Sequence, residues 1–449
     1  MISLRRLWRG CALAVMGTAI FSGIVDAADG GPVLTLQESI DIALKQSVMV
    51  HSAREGVFGA DSQKKEAFTG FLPKLSSSYN YLRYNTEPVF YFPGLPPLLP
   101  AGDVVSGTQN NYTWALEARQ PLFAGGGILA NYQAGKAGSE IARYDESVTT
   151  LDLVQDVKVS YFNILKAERL LDVAVQSVEQ LKAHRDTAQS FFDVGLIPRN
   201  DLLRAEVELA NGRQSLVRAD NGVEMAKSKF NTVLRRNINT PTKVEDILSY
   251  QPITMPLDEC LRIALENRPE IKSYSRRVEQ AQSLVKVAQS EFFPSVNLLG
   301  HYERYGDTAS LGGTVYKDRE SWYVGVAANW NFWEWGRTKY RVDYRRSVEN
   351  QINDSLQNIR DQVALDLKNA WLSAHEAEKQ IQVTKAAIEQ AEENFRISRE
   401  RYKEQVGTST DVLDAQTLLT RAKSDYFTAL GDYNISLARL ERAMASKLP

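Results

Sequence analysis

The chain has 449 residues, 43% of them hydrophobic and 24% charged, a balance that excludes a disordered or collagen-like polypeptide. A formal charge of −2 leaves no basic excess for nucleic acid, and two cysteines, Cys11 and Cys260, are too few for a disulfide-stapled scaffold.

Arg5, Arg6 and Arg9 precede an apolar run over 11–25, which ends in the small-residue site Val25-Asp26-Ala27. This is the layout of a secretory signal peptide, residues 1–27, cleaved after Ala27. The apolar run is shorter than the ~20 residues of a membrane-spanning helix, the alternative reading. Cys11 lacks the preceding residues of a lipoprotein signal, so no lipid anchor is expected. Removing three arginines and one aspartate moves the formal charge from −2 to −4 and leaves Cys260 without an intramolecular partner. Beyond Ala27 no apolar stretch reaches the ~18 residues of a transmembrane helix.

The rest is one pattern written twice, over 28–245 and 246–449. LQESIDIALKQ from Leu36 matches LDECLRIALEN from Leu257, and Phe71, Pro73, Tyr81 and Tyr84 fall on Phe292, Pro294, Tyr302 and Tyr305, all offset by 221. Further on, Gly126, Asp156, Tyr161, Asp201 and Ala205 fall on Gly336, Asp366, Trp371, Asp411 and Ala415, offset by 210. The first half absorbs the difference in an extra loop, EPVFYFPGLPPLLPAG. Exposed loops tolerate such insertions.

Each half opens with a short helical pattern and then turns to period two. NYTWALEARQPLF puts Tyr112, Trp114, Leu116 and Ala118 on one side; SWYVGVAANWNFW puts Trp322, Val324, Val326, Ala328 and Trp330 on one side. With partner strands expected over 75–92 and 295–305, these form β-hairpins at about 75–124 and 295–334. The sheet's aromatic apolar face has no helix of matching length to cover it, so lipid is the better cover. The opposite faces carry Glu117, Arg119, Asn329 and Asn331, as a wet interior requires. Open edges cannot sit in lipid, so further copies must close the sheet. Two copies would make eight strands filled by side chains; three would make twelve around a lumen, which is the favoured arrangement.

Long helices follow. From 133 to 192, Val154, Val157, Tyr161, Ile164, Leu171, Val175 and Val178 recur at steps of three and four, broken only by Glu168; Ile381, Thr384, Ile388, Ala391 and Phe395 do so in the second half, in a helical run traced back to near Ser347. This spacing describes coiled-coil packing, and about 60 helical residues would span ~90 Å. VGLIPRNDLLRAE and VGTSTDVLDAQ break these helices into hairpins, with tips at about 194–201 and 405–411.

The duplicated order, the FLP and FFP strand entries, the PLFAGGG and NFWEWGR exits and the VG turns ahead of DLLRAE and DVLDAQ resemble the TolC-like outer-membrane efflux proteins. The resemblance covers nearly the whole chain after the signal. It implies a mainly α fold with a β-barrel part: a homotrimer whose twelve strands form a barrel in outer-membrane lipid and whose twelve helices form a tunnel in the periplasm. It implies that the tip docks a periplasmic adaptor, itself tied to an inner-membrane transporter, through Val194, Gly195, Leu196, Val406, Gly407 and Thr408. Asp411 and Asp414 match the aspartates of the tunnel's constriction, where three chains would ring the axis with carboxylates and favour cations. Asp201 and Tyr402 match a pair that holds the tunnel closed. Two departures stand out. The second VG sits two residues late in the repeat, with a shorter turn expected, and the family's gate arginine is replaced by Ser409 or Gly407, depending on register.

Plainer roles stand beside these. Asn200 and Thr410 are candidate N-caps, and Asp201 and Asp411 suit a first helical turn. Gly195 and Gly407 suit C-caps. The glycines over 125–127 lack the residues of a phosphate loop and read as a strand-to-helix bend. His51, His184, His301 and His375 lack metal-ligand spacing. Trp330, Trp333 and Trp335 mark a membrane interface or fill the junction between strands and helices. With no catalytic constellation and no cofactor expected, the residues point to an export duct and not an enzyme. The rival is a non-conducting envelope scaffold. Drug or metal efflux and protein secretion stay open as cargo classes.

Overall fold

Residues 33–447 are described by the computed structural model; the expected signal peptide lies outside them. Two similar runs of elements follow one another. The first comprises β1 (Val33–Leu34), α1 (Leu36–Gln46), α2 (Val48–Thr69), β2 (Lys74–Arg83), β3 (Val89–Phe92), β4 (Gly102–Val105), β5 (Asn110–Ala124), α3 (Gly127–Asp193) and α4 (Arg199–Val233). β6 (Lys243–Val244) closes the first run, and the second comprises α5 (Leu257–Asn267), α6 (Pro269–Gln289), β7 (Ser295–Gly306), β8 (Glu320–Asn329), α7 (Arg337–Lys403) and α8 (Ser409–Met444).

The first two helices start where a side chain supplies orphan backbone groups with partners. Thr35 and Glu38 close a reciprocal capping box on α1, and Ser47 caps α2. α3 and α7 each run 67 residues, about 100 Å at the helical rise. Both leave the sheet through a left-handed glycine, Gly126 at φ +80 and Gly336 at φ +82. α7 thus begins at Arg337, ten residues before the expected Ser347, because Gly336 lets the chain turn straight from strand exit to helix.

Strands β2, β5, β7 and β8 form one antiparallel sheet in that order, with β2 and β8 at its free edges. Lys74 pairs with Arg119 as Ser295 pairs with Asn329, which are the same two positions displaced by 221 and 210. One face collects Tyr79, Tyr81, Trp114, Tyr302, Trp322 and Val326; the other collects Asn80, Glu117, Arg119, His301, Glu303 and Asn329. The strand expected over 75–92 ends at Arg83. Val89–Phe92 instead pairs with Gly102–Val105 as a separate hairpin in the first half's extra loop, since Pro88 has no N–H to continue the ladder. Trp330, Trp333 and Trp335 likewise lie past the end of β8, as does Asn331.

Tyr161 on α3 is fully buried and its hydroxyl donates to the carbonyls of Leu34 (3.1 Å) and Glu245 (2.7 Å), pinning the β1–β6 pair to α3. Its counterpart Trp371 donates from Nε1 to the Met255 carbonyl at 3.3 Å, tying the segment ahead of α5 to α7. No helix among the described residues is long and apolar enough to cross a membrane, a statement that does not bear on the sheet.

Candidate functional site at the helical tips

The links between α3 and α4 (194–198) and between α7 and α8 (404–408) are equally long and take the same path. Gly195 N–H donates to Phe192 O at 2.9 Å and Leu196 N–H to Phe191 O at 2.8 Å. Gln405 N–H donates to Tyr402 O at 3.0 Å and Val406 N–H to Arg401 O at 2.9 Å. The shorter second turn is therefore not observed. The uninterrupted 210 register holds, and it puts Gln405, not Gly407, in the left-handed C-cap position. Gly407 serves close approach instead: a Cβ there would lie 3.1 Å from Arg401 Cβ, where the chain folds back over the end of α7.

The N-caps differ from expectation as well. Helix α4 begins after Pro198, with no side-chain cap, so Asn200 lies inside it. Helix α8 is capped by Thr408, not Thr410: Asp411 N–H donates to Thr408 Oγ1 at 3.1 Å, and Thr408 N–H donates to Asp411 Oδ2 at 3.0 Å. Thr408 and Asp411 are the residues whose spacing makes a capping box; Thr410 is two places too late for it.

Of the candidate docking residues, Val194, Leu196 and Val406 are 69%, 53% and 66% exposed. Leu196 and Val406 occupy equivalent places in the two links, so both tips display an apolar side chain to water at that place, and the first adds Val194.

Asp411 and Asp414 lie on the exposed side of α8, opposite the buried Val412, Leu413 and Ala415. Bonds from the Thr408 backbone and hydroxyl hold the Asp411 carboxyl below the usual aspartate range, so it stays charged. Among the described residues Asp414 makes no ion pair or hydrogen bond through its side chain.

Tyr402 is buried where the two helical hairpins meet. Its ring lies 4.9 Å from His184 and 5.5 Å from Phe191. Burial, and then the nearby Asp201 charge, push its hydroxyl pKa up; that hydroxyl lies near Ser409 without a well-formed hydrogen bond. No direct hydrogen bond joins Asp201 to Tyr402 within the chain. The direct links are others. His184 Nε2 lies 2.8 Å from Ser409 Oγ, and Arg204 donates to the Thr410 hydroxyl. Burial lowers the His184 pKa to about 4, which keeps the ring neutral. These contacts tie α3 and α4 to the first turn of α8. They escaped the sequence reading because His184 shows no ligand spacing; its place one helical turn from the Ala188 and Phe191 stripe was the available signal.

The residues match the family described as Outer membrane efflux protein over 39–229 and 260–446, one segment in each repeat. Outer membrane efflux protein BepC of Brucella suis biovar 1 (strain 1330) is 22% identical over 414 residues, 91% of this chain and 85% of that protein. Cobalt-zinc-cadmium resistance protein CzcC of Cupriavidus metallidurans (strain CH34) is 22% identical over 326 residues, 72% of this chain and 75% of that protein. The Campylobacter jejuni CmeC outer membrane channel has the same fold, with a TM-score of 0.77 at 18% identity, covering 96% of this chain and 94% of that one. With both repeats matched and the fold shared, this chain belongs to the outer membrane efflux protein family and resides in the outer membrane, its helical body extending into the periplasm.

Proposed function

We propose that three copies of this chain form an outer-membrane export duct that conducts substrates delivered by an inner-membrane transporter through a periplasmic adaptor. The observation that carries this reading is the four-stranded sheet: apolar and aromatic on one face, polar and charged on the other, and unpaired at both edges. Lipid suits the first face and water the second, and lipid tolerates no open edge. Its strands run on into helices long enough to carry the passage through the periplasm.

Docking at Val194, Gly195, Leu196, Val406, Gly407 and Thr408 rests on the exposed apolar side chains and on the family resemblance. Asp411 and Asp414 are the constriction. The closed tip is held by Tyr402 and Asp201 together with His184, Ser409, Arg204 and Thr410, and opening separates α8 from α3 and α4. The duct serves a tripartite efflux pump or a type I secretion system.

Planar-bilayer recording of the purified detergent-extracted protein tests the duct. Stepwise conductance is expected, together with lost export of drugs, metals or protein cargo on gene deletion. A purified trimer that never conducts, with unchanged export in the deletion strain, would favour the non-conducting scaffold.

A further inference from the structure

Two loops join strands at the end of the sheet remote from the helices, and their chemistry differs. The link from β7 to β8 carries Asp307, Lys317, Asp318 and Arg319. The link from β2 to β5, residues 84–109, holds the β3–β4 hairpin and only two charged side chains, Glu87 and Asp103. On it Phe90, Leu95, Leu98 and Leu99 are 61%, 59%, 84% and 53% exposed. Phe90 and Phe92 share one face with Val104 and Gly102, and that face carries no charge. The helical body extends into the periplasm, so this apolar arm stands on the outer side of the membrane. A two-stranded hairpin is marginal by itself in water, and such a concentration of exposed apolar side chains marks a contact.

The sheet shows from which side the arm is covered. The face suited to lipid turns polar at this rim: beyond Tyr79 and Tyr81 come Arg83 and its partner Asn110, and Arg304 stands opposite Glu320 on the neighbouring strands. The face suited to water does the reverse. Glu117, His301 and Glu303 lie on it deeper in the sheet, but its last positions on β2 are Leu82 and, two residues on, Tyr84, whose N–H still donates to Gln109 O at 2.9 Å. Leu82 and Tyr84 are 59% and 49% exposed. The apolar surface of the arm is therefore continuous with the lumen side of the rim, and a polar collar cuts it off from lipid.

Length fits as well. Twelve strands ~4.8 Å apart and tilted by ~40° close a ring of roughly 12 Å radius. The arm keeps one register from Val89 opposite Val105 to Leu95 opposite Leu99, a reach of ~20 Å at the strand rise. Three arms bent inward meet on the axis with length to spare. A place to bend exists at their base, where regular pairing is interrupted between Arg83 and Val89 on one side and between Val105 and Asn110 on the other.

We propose that the β3–β4 arms of three copies fold over the outer mouth of the duct and meet through Phe90, Leu95, Leu98 and Leu99, forming an apolar plug at the end opposite the tips. Each arm is covered by the same arm of the other two copies, and the uncharged Phe90 face does not repel its like. An apolar constriction stops ions by losing its water, and departing cargo opens it by parting the arms. This rests on the proposed trimeric duct and adds a second closure to it: the plug excludes solutes from outside, while the tips govern the periplasmic end.

Intact cells carrying the full chain with Cys260→Ala allow the outer mouth to be read separately from the tips. On mild oxidation Leu98→Cys should form disulfides between subunits several-fold more completely than Val315→Cys, which is 90% exposed in the polar loop at the same end. Ser78→Cys, on the water-suited face below the mouth, should react slowly with a bulky, membrane-impermeant maleimide added outside, and several-fold faster once Leu98→Asp and Leu99→Asp make the plug polar. Cross-linking of Leu98→Cys no better than that of Val315→Cys, or Ser78→Cys labelling as fast in the parent as behind the aspartates, overturns the plug and turns the arms outward, to lipid or to an external partner. Bilayer recording of the same purified proteins separates that failure from failure of the duct: conducting trimers leave the duct intact, whereas chains that neither assemble nor conduct remove both.

Discussion

Gly195 and Gln405 occupy the same position in the two tip links, both left-handed, at φ +78 and +63. Only the first is a glycine. A side chain in that region crowds the following carbonyl at a cost of ~1 kcal/mol. Gln405→Gly should therefore raise the stability of the detergent-solubilised protein by about 1 kcal/mol, and Gly195→Ala should lower it by a similar amount. Chemical-denaturation midpoints check both; a Gln405→Gly protein less stable than the parent would mean that the glutamine side chain makes a contact worth more than the strain.

Acid should loosen the tip through His184. Its folded pKa of about 4 lies below the ordinary value of 6.5, so the unfolded or opened state binds the extra proton. Stability from this site is complete above pH ~6.5 and declines as pH falls toward 4. Arg399, Lys403 and Glu179 line the same cleft, so cations outnumber carboxylates among its lining residues and a protonated ring adds to that excess. Bilayer conductance should rise over that interval, and His184→Asn, which retains a donor for Ser409 but does not titrate, should flatten the rise. An unchanged profile in His184→Asn would assign the pH response to another group.

Asp411→Ala with Asp414→Ala should lower the cation preference of the channel, read as a shift of reversal potential in a salt gradient toward zero. Asp411→Ala alone also removes half of the α8 capping box, so Asp411→Asn and the unpartnered Asp414→Asn are the cleaner single variants. Unaltered selectivity in the double variant would take these carboxylates off the constriction.

Replacing Leu196 and Val406 by serine should weaken capture of the purified adaptor roughly tenfold per site while leaving trimer stability unchanged, because both side chains are already exposed in the chain. Full adaptor affinity in the double variant would shift docking away from the tips.

Period two over 110–124 and 320–329, the three-and-four spacing of Val157, Tyr161 and Ile164, and the repeat offsets of 221 and 210 were all legible along the chain, because they record which side of each element meets water. The family likeness followed from their order. Backbone conformation at the tips was not legible. A Val-Gly pair looks like a cap signal, yet the left-handed residue fell on Gln405, since the register of the two packed hairpins outweighed the local preference of a glycine two places on. The His184–Ser409 contact joins residues 225 positions apart, and only the packing of α3 against α8 could bring them together. Local periodicity is written residue by residue, whereas a contact between distant helices is decided by how whole surfaces fit.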